Sequence, residues 1–225
     1  MSELSGKAFL VVGATGALGS RIARLLADRG ADVTVSGRSA DALAALDIDG
    51  AHAVVADLRE PDAPRSIVAA AAERHGRLDG LVIAAGVVAF GALTEVDDDT
   101  VDDLLLVNFL APLRLIRAAL PVLERDGVIL GISAVAAEKP MANMAAYSAA
   151  KAATAALFTA VRAEARRRKV RVVDVRPPHT ETGLAGRAIA GDPPKLPVGL
   201  DPDDVAARIV EALLGTETDV PSTAF

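Results

Sequence analysis

Apolar positions follow two rhythms along this chain. Ala8-Phe9-Leu10-Val11-Val12 is an unbroken apolar run ending at a glycine, the pattern of a strand buried on both faces. Past the turn at 13–19 the rhythm changes, and Ile22, Leu25 and Leu26 share one face of a predicted helix. Residues 32–36 predict a second strand, and Val54-Val55-Ala56, closed by Asp57, a third. A helix over 66–75 and a fourth strand, Leu81-Val82-Ile83-Ala84, come next. The spacing of Leu104, Val107, Leu110, Leu115 and Ile116 predicts a long helix over 100–123. Pro112 is expected to kink it, because proline has no N–H to donate. Val128-Ile129-Leu130-Gly131-Ile132 is the fifth strand, 147–168 a helix, and 170–175 the sixth strand.

Strands alternating with helices, without a repeat or a linker, predict an α/β fold. The expected architecture is a single Rossmann-type domain over 1–225, a doubly wound parallel sheet with helices on both faces. Ligands of such sheets sit beyond the C-terminal ends of the strands, so the residues just after each strand carry the functional information.

Tyr147 and Lys151 stand four apart at the start of an alanine-rich helix, which places both on one face. An ammonium beside a phenol favours the phenolate and is expected to lower its proton affinity. A tyrosine tuned in this way can give a proton to a carbonyl oxygen or take one from an alcohol. Gly13, Gly16 and Gly19 form a G-x-x-G-x-x-G turn between a strand and a helix. Glycines let the backbone approach a pyrophosphate, and the helix N-terminus supplies free N–H groups. The second strand ends in Ser36-Gly37-Arg38-Ser39, where an acid would take the 2′-hydroxyl of NAD. Arg38 suits a 2′-phosphate instead, so NADP(H) is preferred over NAD(H).

Composition narrows the classes. Aromatics are only 3% of a 52% hydrophobic chain, which suits alanine-faced helices over buried parallel strands. There is no cysteine, and the three histidines (His52, His75, His179) lack metal-ligand spacing, so no metal is expected. A formal net charge of −6 argues against nucleic acid. The polar start (1–7) lacks a signal-peptide apolar core, and the longest uncharged run (80–94) is too short to span a bilayer. A soluble cytoplasmic protein with no membrane partner is the expectation.

Taken together these residues resemble the short-chain dehydrogenase/reductase superfamily, over nearly the whole chain. The resemblance rests on the glycine loop, Asp57-Leu58, Ala84-Ala85-Gly86, Asn108, Ser133, Tyr147-x-x-x-Lys151 and Pro177-Pro178-His179-Thr180-Glu181-Thr182, in that order. It implies hydride transfer between a nicotinamide and a carbonyl or alcohol carbon. Tyr147 would be the general acid/base, Lys151 would tune it and hold the nicotinamide ribose, and Asn108 would kink its helix and position a relay water. Ser133 completes the candidate catalytic set. Thr15, Ala17 and Leu18 would join the loop glycines on the cofactor. Asp57 and Leu58 would meet the adenine, and Ala84, Ala85 and Gly86 would line the adenosine ribose. Pro177, Thr180 and Thr182 would meet the carboxamide and phosphate end. A homo-dimer or homo-tetramer is implied by the same resemblance.

This chain departs from the family pattern in four places. The glycine spacing is that of the extended epimerase and dehydratase branch, Ala84 replaces an asparagine, and Pro178 replaces a glycine. Ala134 stands where the substrate-orienting serine falls, thirteen residues before the tyrosine, and Ser133 is one earlier. Adjacent strand residues face opposite ways, so either a bulge redirects Ser133 or the site works without that hydroxyl. Residues 183–200 are expected to form a mobile substrate lid. His179 is expected to face the nicotinamide pocket. Asp201-Pro202-Asp203-Asp204 predicts the cap of a last helix, after which the usual terminal glycine motif is missing. Asp97-Asp98-Asp99, with Asp102 and Asp103, reads as a helix start that complements the dipole.

The leading reading is an NADPH-dependent carbonyl reductase, or alcohol dehydrogenase in reverse, for a small or medium apolar substrate. The alternatives are an epimerase- or dehydratase-like enzyme and a non-catalytic dinucleotide-binding regulator.

Overall fold

The computed structural model describes residues 4–225; the first three residues of the polar start (1–7) lie outside it. Seven strands form one parallel sheet in the order β3-β2-β1-β4-β5-β6-β7. They are β1 (Ala8–Val12), β2 (Asp32–Gly37), β3 (His52–Val55), β4 (Gly80–Ile83), β5 (Val128–Ile132), β6 (Arg171–Val175) and β7 (Asp219–Val220). Every residue of β1 and β4 is buried, as an unbroken apolar run in the middle of a two-sided sheet requires.

The helices are α1 (Ala17–Asp28), α2 (Ala40–Ala44), α3 (Ala63–His75), α4 (Asp98–Leu105), α5 (Ala111–Ala119), α6 (Val135–Glu138), α7 (Ala145–Ala165) and α8 (Pro202–Leu214). α1 and α8 cover one face of the sheet through Ile22, Leu26, Ile209 and Leu213. α3, α5 and α7 cover the other through Ile67, Leu115, Ile116 and Phe158. Gly131 of β5 has no side chain because the Phe158 ring occupies the place of its Cβ, bringing α7 close to the sheet. No helix among the described residues is long and apolar enough to cross a membrane.

The long helix predicted over 100–123 is interrupted. α4 and α5 are joined by a π-helical turn, Leu106–Leu110, that contains Asn108. Pro112 sits in the first turn of α5 and cannot donate to the carbonyl four residues back, which is Asn108's. That carbonyl instead accepts from the Thr154 hydroxyl of α7, at 2.5 Å. The last helix starts as predicted: Asp201 caps it by accepting from the Asp203 N–H at 2.7 Å, and Pro202 opens its first turn.

Strand order reverses between β1 and β4, and there the connections leave to opposite sides, opening a crevice. Gly13 after β1 and Ala84-Ala85 after β4 meet at that point.

Candidate active site

Gly13 has φ +82°, and a Cβ on it would lie 2.5 Å from the Ala85 nitrogen, so only glycine serves there. A Cβ on Gly19 would strike the Gly13 carbonyl. The turn therefore folds back on itself and delivers the chain to α1, whose first turn has no side-chain cap and no acidic residue. Its leading N–H groups and positive dipole end are left for an anion. Thr15 is exposed and touches Gly37, while Ala17 and Leu18 form the first turn of α1.

The residues just past β2 and β3 are polar and already organised. Arg38, just past β2, is exposed. Asp57 accepts from the Arg59 N–H at 3.0 Å, and Leu58 is buried. Arg59 forks onto Asp103 of α4, with both bonds 2.7 Å. Asp103 is thus more than a dipole partner, whereas Asp97 does cap α4, accepting from the Thr100 N–H at 2.7 Å. Nothing in the residue pattern singled out the Arg59–Asp103 pair, which lies 44 residues apart in sequence.

Tyr147 and Lys151 are both buried on α7, with the ammonium 5.9 Å from the ring centroid. Lys151 Nζ donates to the Ile132 carbonyl at 3.1 Å, the last residue of β5. Lowered proton affinity was expected of Tyr147. Burial instead pushes the phenol up to about 12, because a buried phenolate loses its hydration. Lys151 feels the same burial and is pulled down to about 8, with the charge of Asp174 opposing the fall.

Asn108 is 1% exposed, and its carboxamide clasps the backbone of Val87. Its Oδ1 accepts from the Val87 N–H at 3.1 Å, and its Nδ2 donates to the Val87 carbonyl at 2.9 Å. Gly86 lies against it: a Cβ there would be 3.1 Å from Asn108 Oδ1 and 3.4 Å from Lys151 Nζ. Gly86, Asn108, Tyr147 and Lys151, scattered in sequence, thus form one cluster.

Ser133 does not join that cluster through its hydroxyl. β5 continues without a bulge, its ladder extended by the Ser133 N–H to the Val175 carbonyl at 3.0 Å. The hydroxyl donates to Asp174 of β6 at 2.5 Å, and both residues are buried. Asp174 escaped sequence reasoning, although a lone carboxylate inside Val-Val-Asp-Val was a visible signal.

After β6, the Thr180 hydroxyl donates to the Pro178 carbonyl at 2.9 Å, and Thr182 Oγ1 accepts from the Leu184 N–H at 3.3 Å. Pro177 precedes them, its carbonyl taking the Val135 N–H at 3.3 Å. His179 was expected over the nicotinamide pocket. Its ring lies against Gly199 and 3.5 Å from Glu181, which also accepts from the Gly199 N–H at 2.7 Å.

The expected lid is fastened in this structure. Ile189 donates to Val88 at 2.8 Å and Phe90 to Ala190 at 2.9 Å, so the segment runs beside the loop after β4. Leu184, Ala185, Ala188 and Ile189 pack with Phe90, Leu104, Met144 and Tyr147. A small cavity remains beside Tyr147, lined by Ala89, Leu93, Val96, Leu104 and Met144, with Asn143 contributing polarity.

Comparison with known proteins bears on the family and the fold. A family model described as short chain dehydrogenase matches residues 7–192. An uncharacterized oxidoreductase of Methylorubrum extorquens is 36% identical over 225 residues, covering 93% of this chain and 91% of its own. Among solved structures, a short chain dehydrogenase from Burkholderia cenocepacia in complex with NADP superposes with a TM-score of 0.86. It is 28% identical and covers 97% of this chain and 98% of its own. A metagenomic short-chain oxidoreductase in complex with NADP gives a TM-score of 0.80 at 30% identity, covering 97% of both chains.

Proposed function

The chain belongs to the short-chain dehydrogenase/reductase family, and from that membership we propose that it is an NADP(H)-dependent carbonyl reductase for small apolar substrates. The observation that carries this reading is the buried Tyr147–Lys151 pair, with Lys151 seated on the Ile132 carbonyl and Gly86 and Asn108 against it.

The dinucleotide fits the residues present. A side chain at Gly13 or Gly19 would strike backbone, the first turn of α1 is uncapped, and Arg38 is exposed where a 2′-phosphate would lie. Lys151, Thr180 and Thr182 would hold the nicotinamide end, and Asp57 and Leu58 the adenine. When bound, the cofactor supplies the hydride. The preference for NADP over NAD draws further support from the NADP complexes of the two structural relatives.

Tyr147 supplies the proton. Burial keeps it protonated throughout the neutral range, so a proton is present for a carbonyl oxygen that gains negative charge. The Lys151 charge is what favours the phenolate as that proton leaves. The protonated state suits reduction better than oxidation, which needs the phenolate. The side chains of Ala89, Leu93, Val96, Leu104 and Met144 beside Tyr147 suit a small carbonyl compound with few polar groups, and the cavity, with room for about one water, must widen to admit it.

A second reading rests on one observation. The Ser133 hydroxyl is spoken for by Asp174, and Ala134 brings no hydroxyl, which favours a dinucleotide-binding protein without turnover. One assay separates the two: NADPH and NADH absorbance followed against a panel of ketones, aldehydes and quinones. Carbonyl-dependent oxidation that prefers NADPH and disappears in Tyr147→Phe supports the reductase. Tight NADPH binding without turnover across the panel supports the second reading.

A further inference from the structure

Asp174 lies in β6 opposite Gly131 of β5. Gly131 meets Phe158 of α7, and residues paired across a parallel sheet share a face, so Asp174 points toward α7. Ser133, two residues beyond Gly131, points the same way, and its hydroxyl closes on Asp174 Oδ1 at 2.5 Å. Lys151 stands on α7 two helical turns before Phe158, with its Nζ on the carbonyl of Ile132, the residue before Ser133. The carboxylate of Asp174 is 1% exposed, on the face of the sheet that α7 covers, and its charge reaches the Lys151 ammonium.

We propose that Asp174 is a positioning residue for Lys151: its negative charge holds the ammonium in the buried site, and its bond to Ser133 fixes the end of β5 on which that ammonium rests.

The charge balance around the pair supports this. Lys151 is faced by Tyr147 from its own helix, Asn108 from the π-helical turn through Gly86, the Ile132 carbonyl from β5, and Asp174 from β6. Asp174 in turn bonds Arg176, which also bonds Asp219 of β7 and Glu138 of α6, while Arg162 of α7 lies 3.7 Å from Asp219. Three carboxylates against two guanidiniums leave one negative charge, and the Lys151 ammonium balances it. Burial raises the proton affinity of Asp174, and the Ser133 hydroxyl and the Arg176 guanidinium, both bonded to it, oppose that rise in favour of the carboxylate. Burial pulls Lys151 down to about 8, and Asp174 is the group whose charge opposes that fall.

The proposal rests on reading Lys151 as the catalytic lysine, so its test begins with a measurement that needs no turnover. The chain has five lysines, Lys7, Lys139, Lys151, Lys169 and Lys195. The side-chain nitrogen of Lys151 can therefore be followed by NMR in lysine-labelled protein, assigned with Lys151→Met, and titrated. Asp174→Asn is expected to weaken proton binding at Lys151 by roughly tenfold, the effect of removing a nearby opposite charge. Ser133→Ala keeps the charge and should move that midpoint by less than about threefold. A midpoint unchanged in Asp174→Asn, or moved equally by Ser133→Ala, would overturn the proposal. Should Asp174→Asn fail to fold by circular dichroism, Asp174→Ser, smaller and still able to bond Ser133, asks the same question. On a carbonyl compound reduced by the wild type, the high-pH fall in kcat should shift with the Lys151 midpoint. If no compound in the panel is reduced, the titration still decides the role of Asp174, and only the reductase reading fails.

Discussion

Asn108 and Val87 are joined at two points: the Asn108 carboxamide both accepts from the Val87 N–H and donates to the Val87 carbonyl. An asparagine side chain in this arrangement replaces a neighbouring strand, pairing a loop that leaves the sheet after β4. The next residue of that loop, Val88, accepts from the Ile189 N–H, so the clasp holds the loop on which the segment after β6 rests.

Removing the clasp should therefore damage stability and turnover together. Asn108→Ala leaves the half-buried N–H and carbonyl of Val87 without their partner, at about 1 kcal/mol for each lost bond. The expected results are a lowered urea midpoint and a fall in kcat/KM, with the rest of the sheet intact by circular dichroism. Asn108→Asp, which keeps the acceptor and loses the donor, should fall between. A wild-type denaturation midpoint in Asn108→Ala would show that the loop holds itself.

Gly191 tests the lid without touching the reacting groups. Its φ is +67°, and a Cβ there would run into the Phe90 carbonyl, so Gly191→Ala must part the lid from the loop it lies on. The expected outcome is a KM for the carbonyl compound raised about tenfold or more, as a lost closure would give, while NADPH affinity stays within about twofold. Equal loss of both would mean that the substitution disturbs the whole C-terminal half.

Much of this was legible in the sequence because it depends on local chemistry. Unbroken apolar runs gave the central strands, the glycines gave the turn at the switch point, and Asp201-Pro202 gave the start of α8. Helix spacing alone placed Tyr147 and Lys151 together. Long-range pairing was not legible. No local pattern says that Arg59 will fork onto Asp103, that Ser133 will turn to Asp174, or that Ile189 will lie on Val88. The proton affinity of Tyr147 was read in the wrong direction for the same reason. A charge four residues away is visible in a sequence, whereas the depth of burial that outweighs it belongs to the packed fold.

The proposed preference for NADP(H) rests on Arg38 and can be tested by binding alone. Arg38 is exposed at the end of β2, where the sequence offers no acid for a ribose hydroxyl. A charge-assisted bond from its guanidinium to a 2′-phosphate contributes about 1.5–3 kcal/mol, equivalent to roughly ten- to a hundredfold in affinity. Arg38→Ala should weaken NADPH by that factor in a fluorescence titration and leave NADH within about threefold. Equal losses for the two cofactors would refute the phosphate assignment.

The pH dependence of reduction follows from the two buried groups. Tyr147, raised to about 12, keeps its proton across the accessible range and sets no limit there. Lys151, pulled down to about 8 by burial, carries its charge below that value and loses it as pH rises through it. The charge is what favours the developing phenolate, so the rate depends on the protonated lysine. NADPH-dependent reduction should be nearly flat on the acid side of neutrality, fall to about half near pH 8, and be roughly tenfold lower near pH 9. Lys151→Arg, whose guanidinium stays charged, should remove that limb even where it lowers the maximum. Rates that hold steady to about pH 10 in the wild type would mean that the lysine charge is not required in the transition state.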